Sequence, residues 1–183
     1  MYCENTHPTI AQSTWAGINP YAKGLPCWEN PKNCWRHLLV NGLREHNWDL
    51  GPLKQKEFLY IGPFFVGCDH GCYHVPGQHG GGKGCSSEHD ITRHKVAARC
   101  RRAVDHADLV FCYLDSVDCY GTIAEIERAS MQGIRVVIAF APGIASSAHN
   151  DFWFVCTNSH RVFYNIHLEE LPELFANTLR GLP

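Results

Sequence analysis

Hydrophobic residues along the chain form short apolar runs that alternate with stretches of helical periodicity. The predicted strands are a short first strand at residues 9–17, which ends in a glycine turn, and the more apolar stretches at 57–66, 109–114, 134–140 and 161–166. Helical spacing of apolar residues predicts a helix over residues 33–48, and a capping pattern at Ser87 and Asp90 predicts one over 87–107. Helices are also predicted over 122–132, which Gly133 closes, and over 167–180. Because such alternation builds parallel sheets with right-handed crossovers, we predict a single-domain α/β fold over residues 1–183, with helices on both faces of a parallel sheet.

Composition and charge narrow the classes of partner. The 183 residues are 45% hydrophobic and 19% charged, as in globular proteins, and the net charge of −2 argues against binding of a nucleic-acid polymer. The longest apolar run, residues 135–142, is too short to cross a membrane. No basic segment followed by an apolar stretch opens the chain, so we expect a cytoplasmic protein whose ten cysteines are mostly reduced.

Three carboxylates follow the apolar run at residues 109–114. Asp115 ends the predicted strand, Asp118 lies in the turn, and Glu125 falls in the first turn of a helix that Gly121 and Thr122 open. Ligands of parallel sheets bind beyond the carboxyl ends of strands, and the N–H groups at a helix start favour an ionised Glu125. Such a carboxylate can attack an electrophilic sugar carbon while a neighbouring carboxylate holds the substrate or moves a proton.

The same spacing also fits a structural interpretation. Thr122 and Glu125 are three residues apart, as in a capping box in which Glu125 accepts a hydrogen bond from the Thr122 N–H. Asp115 and Asp118 are also ordinary turn residues. The spacing leaves both interpretations open.

The segment from Asp118 to Glu125, with Gln132-Gly-Ile-Arg-Val-Val after it, resembles the signature of the nucleoside 2-deoxyribosyltransferase family, which includes related nucleoside 5′-monophosphate N-glycosidases. The resemblance implies a flavodoxin-like fold, cleavage of an N-glycosidic bond, Glu125 as nucleophile and Asp118 as the turn carboxylate. Gly17 corresponds to a glycine of the family's first strand–loop motif. Cys100 stands where the family has an Asp, and no Tyr lies near residues 13–15, so hydrolysis and transfer both stay open.

A loop rich in Cys, His and Gly is predicted as an insertion at about residues 67–89. Its alternating ligand-type residues lie on one side of an extended segment, and two or more of them could bind zinc together with Cys85 or His89; they are Cys68, His70, Cys72 and His74. Alternatively, the loop and the preceding strand end form a pocket wall that contacts a base or a phosphate. The residues expected in that wall are Gly62, Pro63, Phe64, Phe65, His70, His74 and His79. Residues 77–84 lack the phosphate-loop pattern and suit a lid.

The loop beyond residue 140 completes the expected site. In the family that this chain resembles, the equivalent loop often contacts the sugar 5′ end in a neighbouring subunit, which implies a homo-oligomer and roles for Ser146, Ser147 and Asn150. The predicted ligand is a nucleoside or nucleotide, with no cofactor required. Two alternatives stay open: an NAD glycohydrolase, and a non-catalytic nucleotide-sensing module whose Cys/His loop binds metal.

Overall fold

A computed structural model describes residues 9–12, 35–43, 46, 50–62, 93–115, 119–144 and 150–182. Within these ranges the strands are β1 (Thr9–Gln12), β2 (Leu53–Lys54), β3 (Leu59–Tyr60), β4 (Leu109–Leu114), β5 (Arg135–Phe140) and β6 (Arg161–Phe163). The helices are α1 (Trp35–Leu39), α2 (Arg93–Asp105), α3 (Tyr120–Met131), α4 (Trp153–Thr157) and α5 (Leu171–Arg180). A 3-10 turn at Leu168–Glu170 leads into α5.

The six described strands form one sheet in the order β2-β3-β1-β4-β5-β6. Neighbouring strands run parallel, apart from the antiparallel pair β2–β3 at the edge. The longest pairing joins β4 to β5, from Leu109 opposite Arg135 to Leu114 opposite Phe140. All six residues of β4 are buried, as expected for a central strand whose sequence is a continuous apolar run.

Aromatic side chains fill one side of the sheet. Trp35 of α1 lies 6.2 Å from Phe111 and 6.3 Å from Tyr113, measured between ring centroids. Phe175 of α5 meets Phe111 edge to face at 5.1 Å and Phe58 at 5.2 Å. Successive residues of a strand point to opposite faces, so the buried Val110, Cys112 and Leu114 of β4 belong to a second packed side. Helix α3 packs on β4 and β5 and against α2.

An ion pair joins the ends of α2 and α3. The Arg128 guanidinium donates to both carboxylate oxygens of Asp105, at 2.5 and 2.7 Å, and the Gln132 amide donates to the same carboxylate at 2.7 Å. These hydrogen bonds lower the pKa of Asp105 to about 2. The pair ties the last turn of α3 to the end of α2. The first turn of α3 lies at the carboxyl edge of the sheet because the helix follows the end of β4.

The expected mixed α/β arrangement with parallel strands is confirmed, and several element bounds change. Strand β4 has the predicted bounds, whereas β3 is two residues long and α1 covers five residues of the predicted stretch 33–48. Two elements, β2 and α4, were not predicted. Gly133 closes α3 with a φ of +70°, as its place after the last helical turn predicts. Among the helices of the described ranges, none combines the length and the apolar content needed to cross a bilayer.

Candidate functional site

The carboxyl ends of the parallel strands form the edge at which a ligand is expected. The chain runs from β1 outward to β3 on one side and then to β4 on the other, so the strand order reverses between β1 and β4. Open α/β sheets bind ligands in the crevice at such a reversal. Two predicted site residues lie at this edge: Asp115 directly follows β4, and Gly62 lies two residues beyond β3. Gly62 is buried with a φ of +125°, a conformation that favours glycine.

Helix α3 starts at this edge with an open first turn. Its N-cap is Cys119, whose side chain makes no capping hydrogen bond, and the first backbone bond of the helix runs from the Ile123 N–H to the Cys119 carbonyl at 3.1 Å. The N–H groups of residues 120–122 therefore have no partner within the helix. They carry the positive end of the helix dipole toward the crevice.

Thr122 and Glu125 are buried polar residues of this helix. Their exposed fractions are 0% and 7%, and their three-residue spacing places them on the same side of α3. The capping-box interpretation of this pair is wrong, because the helix begins two residues earlier than predicted and the N-cap is Cys119. Thr122 is the third helical residue, and its Oγ1 has no hydrogen-bond partner among the described residues. Glu125, which was predicted in the first turn, is thus a buried carboxyl group in the second turn of the helix.

Acidic groups surround the end of β4. Asp115 is exposed, whereas Tyr113, two residues before it, is buried and donates a hydrogen bond from its hydroxyl to the Ile166 carbonyl at 3.1 Å. Burial, together with the negative charges of Asp115, Glu169 and Glu170, raises the pKa of Tyr113 to about 12. Tyr113 therefore stays neutral and attaches the connection between β6 and α5 to the carboxyl edge beside Asp115.

The segments that follow β5 and β6 pack together beside the carboxyl ends of β4 and β5. The Ala141 N–H donates to the Leu114 carbonyl at 2.9 Å, which extends the pairing of β4 and β5 by one residue. Phe140 packs against Phe152 at 5.6 Å and stacks on Tyr164 at 5.4 Å. Asn150, a predicted sugar contact, is exposed two residues before Phe152. The end of the predicted loop, at Asn150, therefore lies close to the end of β5.

The structure brings together part of the predicted site. Gly62, Asp115, Gly121, Thr122 and Glu125 lie on elements that meet at the carboxyl edge, and Asn150 lies on the segment that follows β5. The other predicted residues lie outside the described ranges; they are Gly17, Pro63, Phe64, Phe65, Cys68, His70, Cys72, His74, His79, Asp118, Ser146 and Ser147. Within the described ranges, no three His, Cys, Asp or Glu side chains are grouped so as to hold a metal ion.

Sequence reasoning missed the contact of Tyr113 with Ile166 at this edge. A tyrosine inside an otherwise apolar strand was the available signal, because a buried hydroxyl requires a hydrogen-bond partner. The partner is 53 residues away along the chain and could not be named from the sequence.

Comparisons of the chain with protein-family models, with curated proteins and with solved structures gave no match.

Proposed function

We propose that this protein cleaves the N-glycosidic bond of a nucleoside or nucleoside 5′-monophosphate, with Glu125 as the nucleophile. The observation that carries the proposal is the position of Glu125: a buried carboxyl group near the start of α3, beside the reversal of strand order. A capping role would have explained this glutamate structurally, and the start of the helix at Tyr120 excludes the capping box.

The strand order supports the fold that the sequence resemblance implies. Without the edge strand β2, the order is β3-β1-β4-β5-β6, which in chain order of the parallel strands is 2-1-3-4-5. This is the order of flavodoxin-like sheets. A single-domain flavodoxin-like fold with helices on both faces, similar to that of the nucleoside 2-deoxyribosyltransferase family, is therefore part of the proposal.

The chemistry follows from a carboxylate placed against a sugar. An oxygen of Glu125 bonds to the anomeric carbon as the bond from that carbon to the base nitrogen breaks, and the electron pair of the broken bond leaves with the base. Asp118 or Asp115 holds the sugar or delivers the proton that the leaving base takes up. The glycosyl-enzyme ester is then opened by water, which gives free sugar, or by a second base, which gives a new nucleoside. This reaction requires no cofactor.

The remaining parts of the proposed site are those predicted from the sequence. The segment from Gly62 to Phe65 and the Cys/His loop would form the base pocket, with zinc in that loop as an open possibility. Asn150, with Ser146 and Ser147, would contact the sugar 5′ end, in a neighbouring subunit of a homo-oligomer. The exposed position of Asn150 next to the end of β5 is compatible with such a contact.

The proposal is tested by chromatography of free base after incubation with ribo- and deoxynucleosides, their 5′-monophosphates and NAD, each with and without an acceptor base. We expect the wild type to release base from at least one nucleoside or nucleotide and Glu125→Gln to lose turnover by at least about a thousandfold, because an amide cannot act as the nucleophile. A new nucleoside in the presence of acceptor would identify a transferase.

Glu127→Gln is the matched control, because it makes the same chemical change on the same helix. Glu127 is half-buried and accepts a hydrogen bond from the Asn158 amide at 3.0 Å, so it faces α4 and not the sugar. We expect this variant to keep its activity. Equal turnover by wild type and Glu125→Gln refutes Glu125 as nucleophile, release from NAD alone indicates a glycohydrolase, and no release from any substrate by folded protein indicates a binding module.

A further inference from the structure

The Thr122 hydroxyl is a buried polar group for which the described residues offer no partner. The side chain has no exposed surface, and its Oγ1 makes no hydrogen bond within the described ranges. Buried hydroxyls in folded proteins nearly always have a partner, and an unsatisfied one lowers stability. Thr122 also lies in the first turn of α3, where the N–H groups are open toward the carboxyl edge of the sheet. A ligand that binds at this edge is one way in which the hydroxyl could be satisfied.

We propose that Thr122 is a specificity-determining residue whose hydroxyl hydrogen-bonds a hydroxyl group of the substrate's sugar. This inference rests on the proposed function, since it takes Glu125 as the group that reaches the anomeric carbon. Thr122 and Glu125 are three residues apart on one helix, which places their Cβ atoms about 5–6 Å from each other. A ligand atom within reach of Thr122 therefore lies close to the reacting carbon.

The direction of attack selects the sugar over the base. The nucleophile approaches the anomeric carbon from the side opposite to the departing base, so a residue that neighbours the nucleophile on the same side of α3 is nearer to the sugar than to the base. Sugar hydroxyls both donate and accept hydrogen bonds, as the threonine hydroxyl does. A site that holds a buried hydroxyl for this purpose discriminates against an analogue that lacks the matching group, because its own hydroxyl is then left unsatisfied.

Two substitutions at Thr122 separate a ligand contact from a structural role. Thr122→Val removes the hydroxyl and keeps the shape, whereas Thr122→Ser keeps the hydroxyl and removes the methyl group. Without ligand we expect Thr122→Val to melt at the wild-type temperature or above it, and Thr122→Ser to melt below it. For KM we expect the reverse order: Thr122→Ser close to wild type, and Thr122→Val raised about three- to tenfold with kcat unchanged.

The sugar contact itself is tested with matched ligands. KM is measured for a cleaved nucleoside and its 2′-, 3′- and 5′-deoxy analogues, with wild type and with Thr122→Val. We expect wild type to lose affinity for one analogue and Thr122→Val to treat that analogue and the parent alike. Discrimination that survives unchanged in Thr122→Val refutes the contact, as does a Thr122→Val protein that melts below wild type, since its hydroxyl would then have a partner inside the protein.

Failure of the proposed function gives a different result. If folded wild type releases no base from any substrate, both proposals fall. If wild type and Thr122→Val cleave with equal KM values for every analogue, the sugar contact alone is refuted and Glu125 keeps its role.

Discussion

Replacement of Tyr113 by Phe tests the description of the carboxyl edge without touching the proposed nucleophile. The variant keeps the ring against Trp35 and removes only the hydroxyl that donates to the Ile166 carbonyl. Loss of one such hydrogen bond costs about 0.5–1.5 kcal/mol of the free energy of unfolding. For a chain of this length, each kcal/mol corresponds to about 2–4 °C in melting temperature. We therefore expect Tyr113→Phe to melt a few degrees below wild type at pH 7.

The pH dependence of this difference provides a sharper test. The pKa of Tyr113 is about 12 in the folded protein against an ordinary value of 10.0, so the folded state favours the neutral hydroxyl. The associated stability is complete below pH 10 and is lost as the pH rises toward 12, because the unfolded chain ionises first. At pH 11 that ionisation removes about 1.4 kcal/mol from wild type and nothing from the variant at this position. The stability of wild type should thus fall to that of the variant at one pH between about 10 and 11.

Urea denaturation of both proteins at several pH values from 7 to 11 measures the difference directly. The other tyrosines contribute equally to both curves and cancel in the comparison. A constant stability difference across the whole range would show that the Tyr113 hydroxyl is not buried in the folded protein. A variant as stable as wild type at pH 7 would show that the bond to Ile166 makes no contribution.

Two further predictions concern helix ends. Asp105→Asn should lower the melting temperature at pH 7, and the melting temperatures of wild type and variant should converge as the pH falls from about 4 to about 2. The reason is that the stability gained from the lowered pKa of Asp105 is present above the pKa of the unfolded chain and is lost when the carboxylate is protonated. A difference in melting temperature that stays constant down to pH 2 would contradict this. Gly133→Ala should cost about 1 kcal/mol in urea denaturation, since its φ is +70° although the added methyl group meets no atom within 4 Å. Gly181→Ala is its control, because Gly181 has a φ of −88° and should tolerate alanine with little change.

The sequence predicted those parts of the fold in which a hydrophobic pattern decides the structure. Strand β4 is buried on both faces, and its six apolar residues made its bounds readable. Strand β2 has two residues, one of them Lys54, and is held by pairing with β3 at the edge of the sheet, so no apolar run marks it. Helix α4 consists mostly of aromatic and β-branched residues with low helix propensity and depends on packing, with Val155 buried.

The sequence predicted that Glu125 lies near the carboxyl edge of the sheet, but not the residue at which α3 begins. The apolar strand followed by Asp115 and a helix was sufficient to place Glu125 near the carboxyl edge. The spacing of Thr122 and Glu125 suggested a helix start at Thr122, whereas the helix begins at Tyr120 after a cysteine N-cap whose side chain makes no capping hydrogen bond. An N-cap of this kind lacks the Ser, Thr, Asp or Asn that marks a helix start in a sequence, so the start at Tyr120 could be seen only in the backbone.

The unbroken pairing of β4 with β5 determines which part of the protein unfolds last. The two strands form six residue pairs, and α3 lies between them in the chain. Consecutive elements that bury one another form a cooperative unit whose backbone amides exchange with solvent late, often only through complete unfolding. Glu125 belongs to this unit. Fluctuations that loosen the sheet edges can therefore occur while Glu125 keeps its place.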